Sequence, residues 1–339
     1  MMLIYRKILF IFLNKLYSLG IFYIKNKFKT YNMSLLVIGS LALDTIETPF
    51  GKAERTLGGS ATFISTSASY FTENVRLVGI VGYDFPQNEI DFLNSKNIDL
   101  SGLEISGTEK TFHWHGKYNF DLNTRESIVT ELNVVEKFDP VISDKFKDSE
   151  YVCLGNLHPS LQKKVVQQIS NPKLIMCDTM NFWIEGAYKE LTEILRLVNL
   201  IVINDSEARE LSKEFNLVTA AKKIMQMGPE IVIIKKGEHG ALLFMNDLIF
   251  SAPAFPMEKV FDPTGAGDTF AGGLMGWISK TKDLSEKNLK LAVIYGSAMA
   301  SLSVEKFSLD GIRNLTHSRI MERFSEFKKL THFEEISLI

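Results

Sequence analysis

Cysteine is scarce in this sequence: only Cys153 and Cys177 occur among 339 residues, and both lie in apolar runs typical of strands. Two such cysteines argue against a disulfide framework and a zinc site, and they fit a reducing cytoplasm. An excess of positive charge is also missing, because the formal net charge is -2. The overall charge therefore gives no argument for nucleic acid as a partner.

Two nucleotide-binding motifs are absent as well. No Gly-x-x-x-x-Gly-Lys-Ser/Thr occurs, which argues against a P-loop kinase. No Gly-x-Gly-x-x-Gly follows the first apolar strand, which argues against a dinucleotide-dependent dehydrogenase. Internal repeats and low-complexity linkers are missing too, so the length and the 45% hydrophobic content predict one large domain, with or without an appendage.

The first 33 residues contain no acidic side chain, although six basic ones lie among Phe, Ile, Leu and Tyr. One interpretation is a signal anchor or a basic membrane-surface helix. The apolar stretches 8–14 and 16–24 are too short to cross a bilayer, so we expect no stable membrane insertion. The second interpretation, which we favour, is an over-extended reading frame. Residues 1–32 would then be a leader outside the mature protein, and Met33 would be the true start.

From Met33 onward, short apolar runs alternate with longer amphipathic segments. The runs are rich in Val, Ile and Leu, as parallel strands buried on both faces should be. This alternation predicts an α/β fold with an open, doubly wound and mostly parallel sheet flanked by helices. The predicted strands are 35–38, 76–81, 151–154, 174–177, 200–203 and 231–234. The predicted helices are 60–71, 87–96, 161–170, 206–215, 219–227, 269–278, 286–304 and 318–329.

Residues 111–121 break this pattern, because aromatic and polar side chains alternate there. Phe112, Trp114, Tyr118 and Phe120 share one face, which predicts a half-exposed antiparallel strand. We expect a small β-sheet lid with strands at about 45–57 and 108–134, on a domain of residues 33–330 followed by a tail at 331–339. His113 and His115 on the opposite face have no third ligand in view, so polar contacts are preferred there to a metal site.

One glycine-rich loop carries most of the functional information: Asp262-Pro263-Thr264-Gly265-Ala266-Gly267-Asp268, followed by an apolar helical run. Backbone N–H groups at such a helix start attract anions, and the positive end of the helix dipole adds to the attraction. A carboxylate repels phosphate, so Asp268 makes sense there if it contacts a hydroxyl that is about to be phosphorylated. The alternative is a turn with Asp268 as the helix N-cap.

Three further segments end predicted strands or begin predicted helices. Asp44 follows the first strand, at the edge where open α/β sheets bind ligands. Gly58 and Gly59 allow a close backbone approach at the start of a helix. Asn204 and Glu207 follow another strand and offer oxygen ligands suited to Mg²⁺, usually through water. Each segment could also be an ordinary cap or turn.

Together these segments resemble the PfkB family, the ribokinase-like carbohydrate kinases, over about residues 33–329. The loop Asp262–Asp268 is similar to the family's second signature, Asn204-x-x-Glu207 to its Asn-x-x-Glu motif, and Gly58-Gly59 to its glycine pair. Residues 78–84 are similar to a further family stretch.

The resemblance implies a kinase that uses ATP and Mg²⁺, with Asp268 as catalytic base. The implied anion hole is Gly265, Ala266 and Gly267. The implied nucleotide-binding residues are Asn204, Glu207, Lys235, Gly237 and Gly240, with Glu207 holding Mg²⁺ through water. The implied acceptor-binding residues are Asp44, Gly58, Gly59 and Asn181. Asp262 and Thr264 match positions that bind a monovalent cation such as K⁺ in some members. A homodimer through the lid is a further expectation.

The acceptor stays open at this stage. Phe63 stands where the family often has Asn, which removes a polar contact to a sugar, and Lys235 stands where Thr is usual. Lys235 either meets a phosphate of ATP or points to solvent. A sugar or sugar-like acceptor is the main hypothesis, a nucleoside is its rival, and an idle sugar or nucleotide sensor is a third. Polar residues that could select the acceptor are His113, Asn123, Arg125, Asn156, Asp178 and Asn181.

Overall fold

A nine-stranded sheet forms the centre of the protein in the computed structural model, which describes residues 34–332. Its order is β13-β12-β11-β10-β9-β8-β1-β4-β5, in which the seven strands from β11 to β5 are parallel and the last hairpin is antiparallel. The strands are β1 (Leu35–Ile38), β4 (Val75–Val81), β5 (Ile98–Ile105), β8 (Tyr151–Leu154), β9 (Leu174–Asp178), β10 (Leu200–Asn204), β11 (Ile231–Lys235), β12 (Ala241–Met245) and β13 (Leu248–Ala252).

Helices cover both faces of this sheet. In β1, Leu35 and Val37 belong to one buried core while Leu36 and Ile38 belong to the other, because successive side chains of a strand point to opposite faces. The first core is completed by α1 (Ser60–Ala68), α2 (Gln87–Ser95), α8 (Ala266–Thr281), α9 (Glu286–Ser303) and α10 (His317–Thr331). The second is completed by α3 (Pro159–Val166), α4 (Asn181–Gly186), α5 (Tyr188–Leu195), α6 (Asp205–Ser212) and α7 (Leu217–Met225).

The predicted fold class is confirmed, and all six predicted parallel strands are present. Helix boundaries differ by a few residues. The helix expected from residue 269 begins at Ala266, because Gly265 adopts a left-handed φ of 72° and caps it. The helix expected from residue 161 begins at Pro159, whose fixed φ suits a first helical position.

A second, four-stranded sheet, here called the small sheet, has the order β3-β2-β6-β7. Its strands are β2 (Ala42–Thr48), β3 (Gly51–Gly58), β6 (His113–Tyr118) and β7 (Arg125–Glu131). The predicted alternation fails at Phe120, which is 93% exposed whereas Tyr118 is 6% exposed. The physical reason is that the pairing of β6 with β7 shifts between His115 and Gly116 and ends at Tyr118, so Phe120 lies in the following turn.

The expectations about residues 1–32 lie outside the described residues, and only 331 and 332 of the predicted tail are described. Within residues 34–332, no helix is both long enough and apolar enough to cross a membrane.

Candidate active site

The glycine-rich loop leads directly into the 16-residue helix α8, whose N-cap is Gly265. A Cβ at position 265 would lie 2.4 Å from the ring of Phe63, so the site combines a left-handed backbone with no room for a side chain. The first N–H groups of a helix have no acceptor within the helix, and the dipole makes this end positive. The start of α8 therefore has the local geometry of an anion site. Phe63, 1% exposed, forms its apolar floor.

Asp268 lies in the first turn of α8 and is buried. Burial and then the charge of the nearby Asp178 raise the pKa of Asp268 to about 7, against the opposing positive charges of Lys235 and Arg125. The helix dipole favours the ionised form, but burial is the larger effect and was not visible in the sequence. A carboxyl with a pKa near 7 is suited to accept a proton at neutral pH.

Lys235, the last residue of β11, points into the site. Its Nζ lies 2.7 Å from the position that a Cβ of Gly267 would take, and 4.0 Å from Oδ1 of Asp178 at the end of β9. Burial alone would lower the pKa of Lys235, but Asp178, Glu207 and Asp268 together raise it above its ordinary value. The side chain is only 19% exposed, so the solvent-facing alternative for Lys235 is wrong.

Asn204 and Glu207 form a capping box at the start of α6. Asn204 Oδ1 accepts from the Glu207 N–H at 2.8 Å, and Glu207 Oε2 accepts from the Asn204 N–H at 2.8 Å. The capping role is therefore present, and it fixes the Glu207 carboxylate beside Lys235 and Asp178. Burial raises the pKa of Glu207 to about 7, partly offset by the charge of Lys235.

The donor set at this edge fits Mg²⁺. The oxygens of Asn204, Glu207 and Asp178 are hard ligands, and the raised pKa of both carboxyl groups marks a place where an added cation would be stabilised. No three His, Cys, Asp or Glu side chains within residues 34–332 are grouped closely enough to enclose a metal by themselves. An ion bound here would keep water ligands, as Mg²⁺ usually does.

The turn after β11 carries the two glycines predicted to border the nucleotide. Gly237 has a φ of 55° and begins a short 3₁₀ turn, and Gly240 has a φ of 84°. A Cβ at position 240 would lie 2.1 Å from the carbonyl oxygen of Ala252. Backbone geometry thus requires glycine at position 240, and the left-handed φ favours it at position 237.

In the small sheet, Asp44 of β2 is buried among backbone donors. Burial and then the charges of Asp262 and Asp268 raise the pKa of Asp44 to about 8, while hydrogen bonds from the Gly59 and Trp114 amides oppose the rise. A Cβ at Gly58 would lie 2.0 Å from Asp44 Oδ2, so the glycine makes room for this carboxyl. Asp44 and Asp268 are therefore close enough for their charges to interact.

Asp262, Thr264 and Asn181 make defined contacts within the protein. Asp262 accepts from the Thr264 N–H at 2.8 Å and from the Ser308 N–H at 2.7 Å, which fixes the segment before the loop. The Asn181 amide donates to Glu210 on α6. These contacts are structural, so the expected cation-binding and acceptor-binding roles stay predictions.

Sequence reasoning gave Tyr118 no role and left Arg125 in a group of possible acceptor contacts. Tyr118 Oη accepts from Thr264 Oγ1 at 3.1 Å, which joins the small sheet to the segment before α8. Arg125 is paired with Tyr118 in the β6–β7 register, and its charge acts on Asp268. The signal that could have found Arg125 was a basic residue directly after the hairpin turn, opposite a buried tyrosine.

Comparisons with known proteins agree with this geometry. Residues 33–313 match the family described as pfkB family carbohydrate kinase. The cytidine kinase of Thermococcus kodakarensis is 29% identical over 265 residues, which cover 75% of this chain and 91% of that protein.

Two solved structures have the same fold. The nucleoside kinase of Methanocaldococcus jannaschii has a TM-score of 0.70 at 22% identity, over 87% of this chain and 99% of that one. A putative ribokinase II from E. coli, in complex with ATP and Mg²⁺, has a TM-score of 0.71 at 19% identity, over 88% and 99% of the chains.

Proposed function

The chain belongs to the pfkB family of carbohydrate kinases, and we propose that it transfers the γ-phosphoryl group of ATP to a hydroxyl of a small sugar or sugar-like acceptor. It is a phosphotransferase that acts on an alcohol group. The observation that carries the proposal is the position of Asp268, which lies buried in the first turn of α8 and interacts electrostatically with both Asp44 and Lys235.

On the acceptor side, Asp44 would hold hydroxyl groups, and Gly58 and Gly59 let the backbone approach it closely. The reacting hydroxyl would then lie beside Asp268. As its oxygen bonds to the γ-phosphorus, Asp268 accepts the proton, and ADP leaves with the electron pair of the broken P–O bond. A pKa near 7 suits this step, because proton transfer is needed late and a strong base is not required.

On the donor side, the amides of Gly265, Ala266, Gly267 and Asp268 would receive the γ-phosphoryl oxygens. Gly237 and Gly240 would border ATP, and Lys235 would meet a phosphate. Mg²⁺, when bound, neutralises charge on the donor phosphates, and Asn204 and Glu207 are the residues proposed to hold it through water. The E. coli neighbour in complex with ATP and Mg²⁺ supports the choice of both.

A nucleoside acceptor is the second candidate. The cytidine kinase of Thermococcus kodakarensis, aligned over most of this chain, favours it. Trp114 of β6 also favours a nucleoside acceptor. Its backbone amide donates a hydrogen bond to Asp44, and its ring is only partly buried. An aromatic ring beside the acceptor could stack on a base.

Screening acceptors with the purified protein separates these possibilities. We expect ADP release that depends on both Mg²⁺ and one acceptor class when sugars, inositols and nucleosides are compared. Replacing Asp268 by Asn should lower kcat by about 10²–10⁴-fold while ATP still binds, because the loop stays and only the base is lost. Asp247→Asn, an exposed change in the β12–β13 turn, should leave kcat unchanged. Equal turnover of Asp268→Asn and the wild type would refute the assignment.

Three further expectations go with this function. We propose a cytoplasmic location, supported by two free, buried cysteines. We also propose that Asp262 and Thr264 help to bind K⁺, and that the protein forms a homodimer through the small sheet. In support of the dimer, β7 is an edge strand that is exposed along its whole length.

A further inference from the structure

The β6–β7 hairpin of the small sheet contacts both sides of the phosphate region. Near the end of β6, Tyr118 Oη accepts from Thr264 Oγ1 at 3.1 Å, directly before the anion-binding loop. In the hairpin turn, Asn123 Oδ1 lies 3.5 Å from the position of a Cβ at Gly237, in the turn after β11. The hairpin thus spans the region between the anion-binding loop and the proposed nucleotide-binding turn.

Arg125 begins β7, two residues after Asn123. Its register partner on β6 is Tyr118, and its guanidinium carbon lies 5.8 Å from the centre of the Trp114 ring. No carboxylate within residues 34–332 forms an ion pair with Arg125, and the residue is exposed. Most other arginines of the described chain have an acidic partner, for example Arg55 with Asp84 at 2.7 Å. The charge of Arg125 is therefore held in place by an aromatic ring without being neutralised.

The groups that feel this charge are buried in the main sheet and at the start of α8. Arg125 opposes the burial that raises the pKa of Asp268 and of Glu207, and its charge acts against protonation of Lys235. These three residues come from α8, α6 and β11. The geometry agrees with this reach, because the register partner of Arg125, Tyr118, is hydrogen-bonded to Thr264 directly before the anion-binding loop. The γ-phosphoryl group would be transferred at this loop.

We infer that Arg125 is a further catalytic residue of the proposed kinase, and that its guanidinium contacts the phosphoryl group during transfer. The inference rests on the proposed function. In the transition state the bond from the acceptor oxygen to phosphorus forms while the bond to the ADP oxygen breaks, and negative charge is spread over three equatorial oxygens. Asp268 takes the only proton that moves, and Arg125 donates hydrogen bonds without changing its own protonation.

An arginine is well suited to this position because its planar fork donates two parallel hydrogen bonds to phosphate oxygens, whereas lysine is a single point charge. Lys235 and the α8 amides approach from the main sheet, so a donor from the small sheet would meet the phosphoryl group from the opposite side. The same small sheet carries Asp44. Acceptor binding and phosphoryl stabilisation would therefore both depend on the position of the small sheet.

The test compares Arg125→Gln and Arg125→Lys with Arg55→Gln, a matched loss of an arginine from β3 of the same sheet. Steady-state rates are measured with the best acceptor, and calorimetry gives the affinity for MgADP with and without aluminium fluoride, a planar mimic of the transferring phosphoryl group. We expect Arg125→Gln to lower kcat by about 10²–10³-fold, the usual loss for one transition-state donor. Its affinity for MgADP should stay within about twofold, and the added affinity due to fluoride should fall by a similar 10²-fold or more.

Arg125→Lys should fold as the wild type does and keep part of the rate, because charge remains and the fork is lost. Arg55→Gln should match the wild type in both measurements. The inference is overturned if Arg125→Gln and Arg125→Lys keep wild-type kcat and fluoride-dependent affinity. If the wild type itself neither phosphorylates any acceptor nor binds MgADP more tightly with fluoride, the proposed function fails instead.

Discussion

At the scale of single residues, the site is notable for the number of carboxyl groups buried around one ammonium group. Burial raises the pKa of Asp44 to about 8 and those of Glu207 and Asp268 to about 7, and it also raises that of Asp178. Lys235 is the cation beside Asp178, Glu207 and Asp268, whereas Asp44 interacts with Asp262 and Asp268. Such an arrangement is poorly stabilised by the protein alone, which is typical of a site completed by bound ions and ligands.

Replacing Lys235 by Met should change the pH dependence of the reaction. Asp268 must be ionised to accept a proton, so kcat/KM for the acceptor should rise as the pH increases through about 7 in the wild type. Lys235 lowers the pKa of Asp268, so its loss should move this acid limb to higher pH. The measurement is kcat/KM between pH 5 and pH 9.

Lys236→Met is the matched control, since this neighbouring lysine lies outside the carboxyl cluster. It should leave the acid limb in place. If the limb of Lys235→Met coincides with that of the wild type, Lys235 does not act on the base. If kcat falls but the acid limb of the pH profile stays in place, the role of Lys235 is restricted to phosphate binding.

At the scale of secondary structure, the parallel strands were predictable because their residues are buried on both faces, as Leu35 to Ile38 of β1 are. The hairpin of β12 and β13 was missed, although its turn carries Asn246 with a φ of 50°, a conformation that Asn tolerates. Asp268 could be predicted from the sequence because its glycine-rich loop and the helix that follows are contiguous in the chain. The proximity of Lys235 to Asp178 could not be predicted from the sequence, because it depends on the order of β9, β10 and β11 in the sheet.

Tyr118→Phe tests whether the hydrogen bond to Thr264 holds the β6–β7 hairpin in place. A neutral hydrogen bond contributes about 1 kcal/mol, so its loss should raise local opening by about fivefold. Amide hydrogen exchange should accelerate in residues 113–131, with a severalfold rise in the KM of the acceptor because Asp44 belongs to the same sheet. Tyr188→Phe, on the exposed start of α5, should leave both quantities unchanged. Unaltered exchange in Tyr118→Phe would mean that other contacts hold the hairpin.

At the scale of the whole molecule, one buried arginine adds hydrogen bonds to the apolar packing that joins the last described helix, α10, to the rest. Arg323 is 3% exposed and donates to Glu305 at 2.7 Å, to Glu326 at 2.9 Å and to Ser301 Oγ at 2.6 Å. Its guanidinium carbon also lies 3.9 Å from the centre of the Phe255 ring. These partners come from α9, from the segment that follows it, from the segment before α8 and from α10 itself, so the side chain connects parts of the chain far apart in sequence.

Arg323→Ala should therefore lower the free energy of unfolding by about 2–3 kcal/mol, since hydrogen bonds to charged groups and the packing of the stem are lost together. Arg319→Ala is the matched comparison, because Arg319 lies on the same helix and also pairs with Glu305, but is 39% exposed. An exposed ion pair contributes less than about 1 kcal/mol, so this variant should unfold close to the wild type. Urea denaturation measures both. Equal destabilisation of the two variants would show that burial of Arg323 adds nothing beyond its pairing with Glu305.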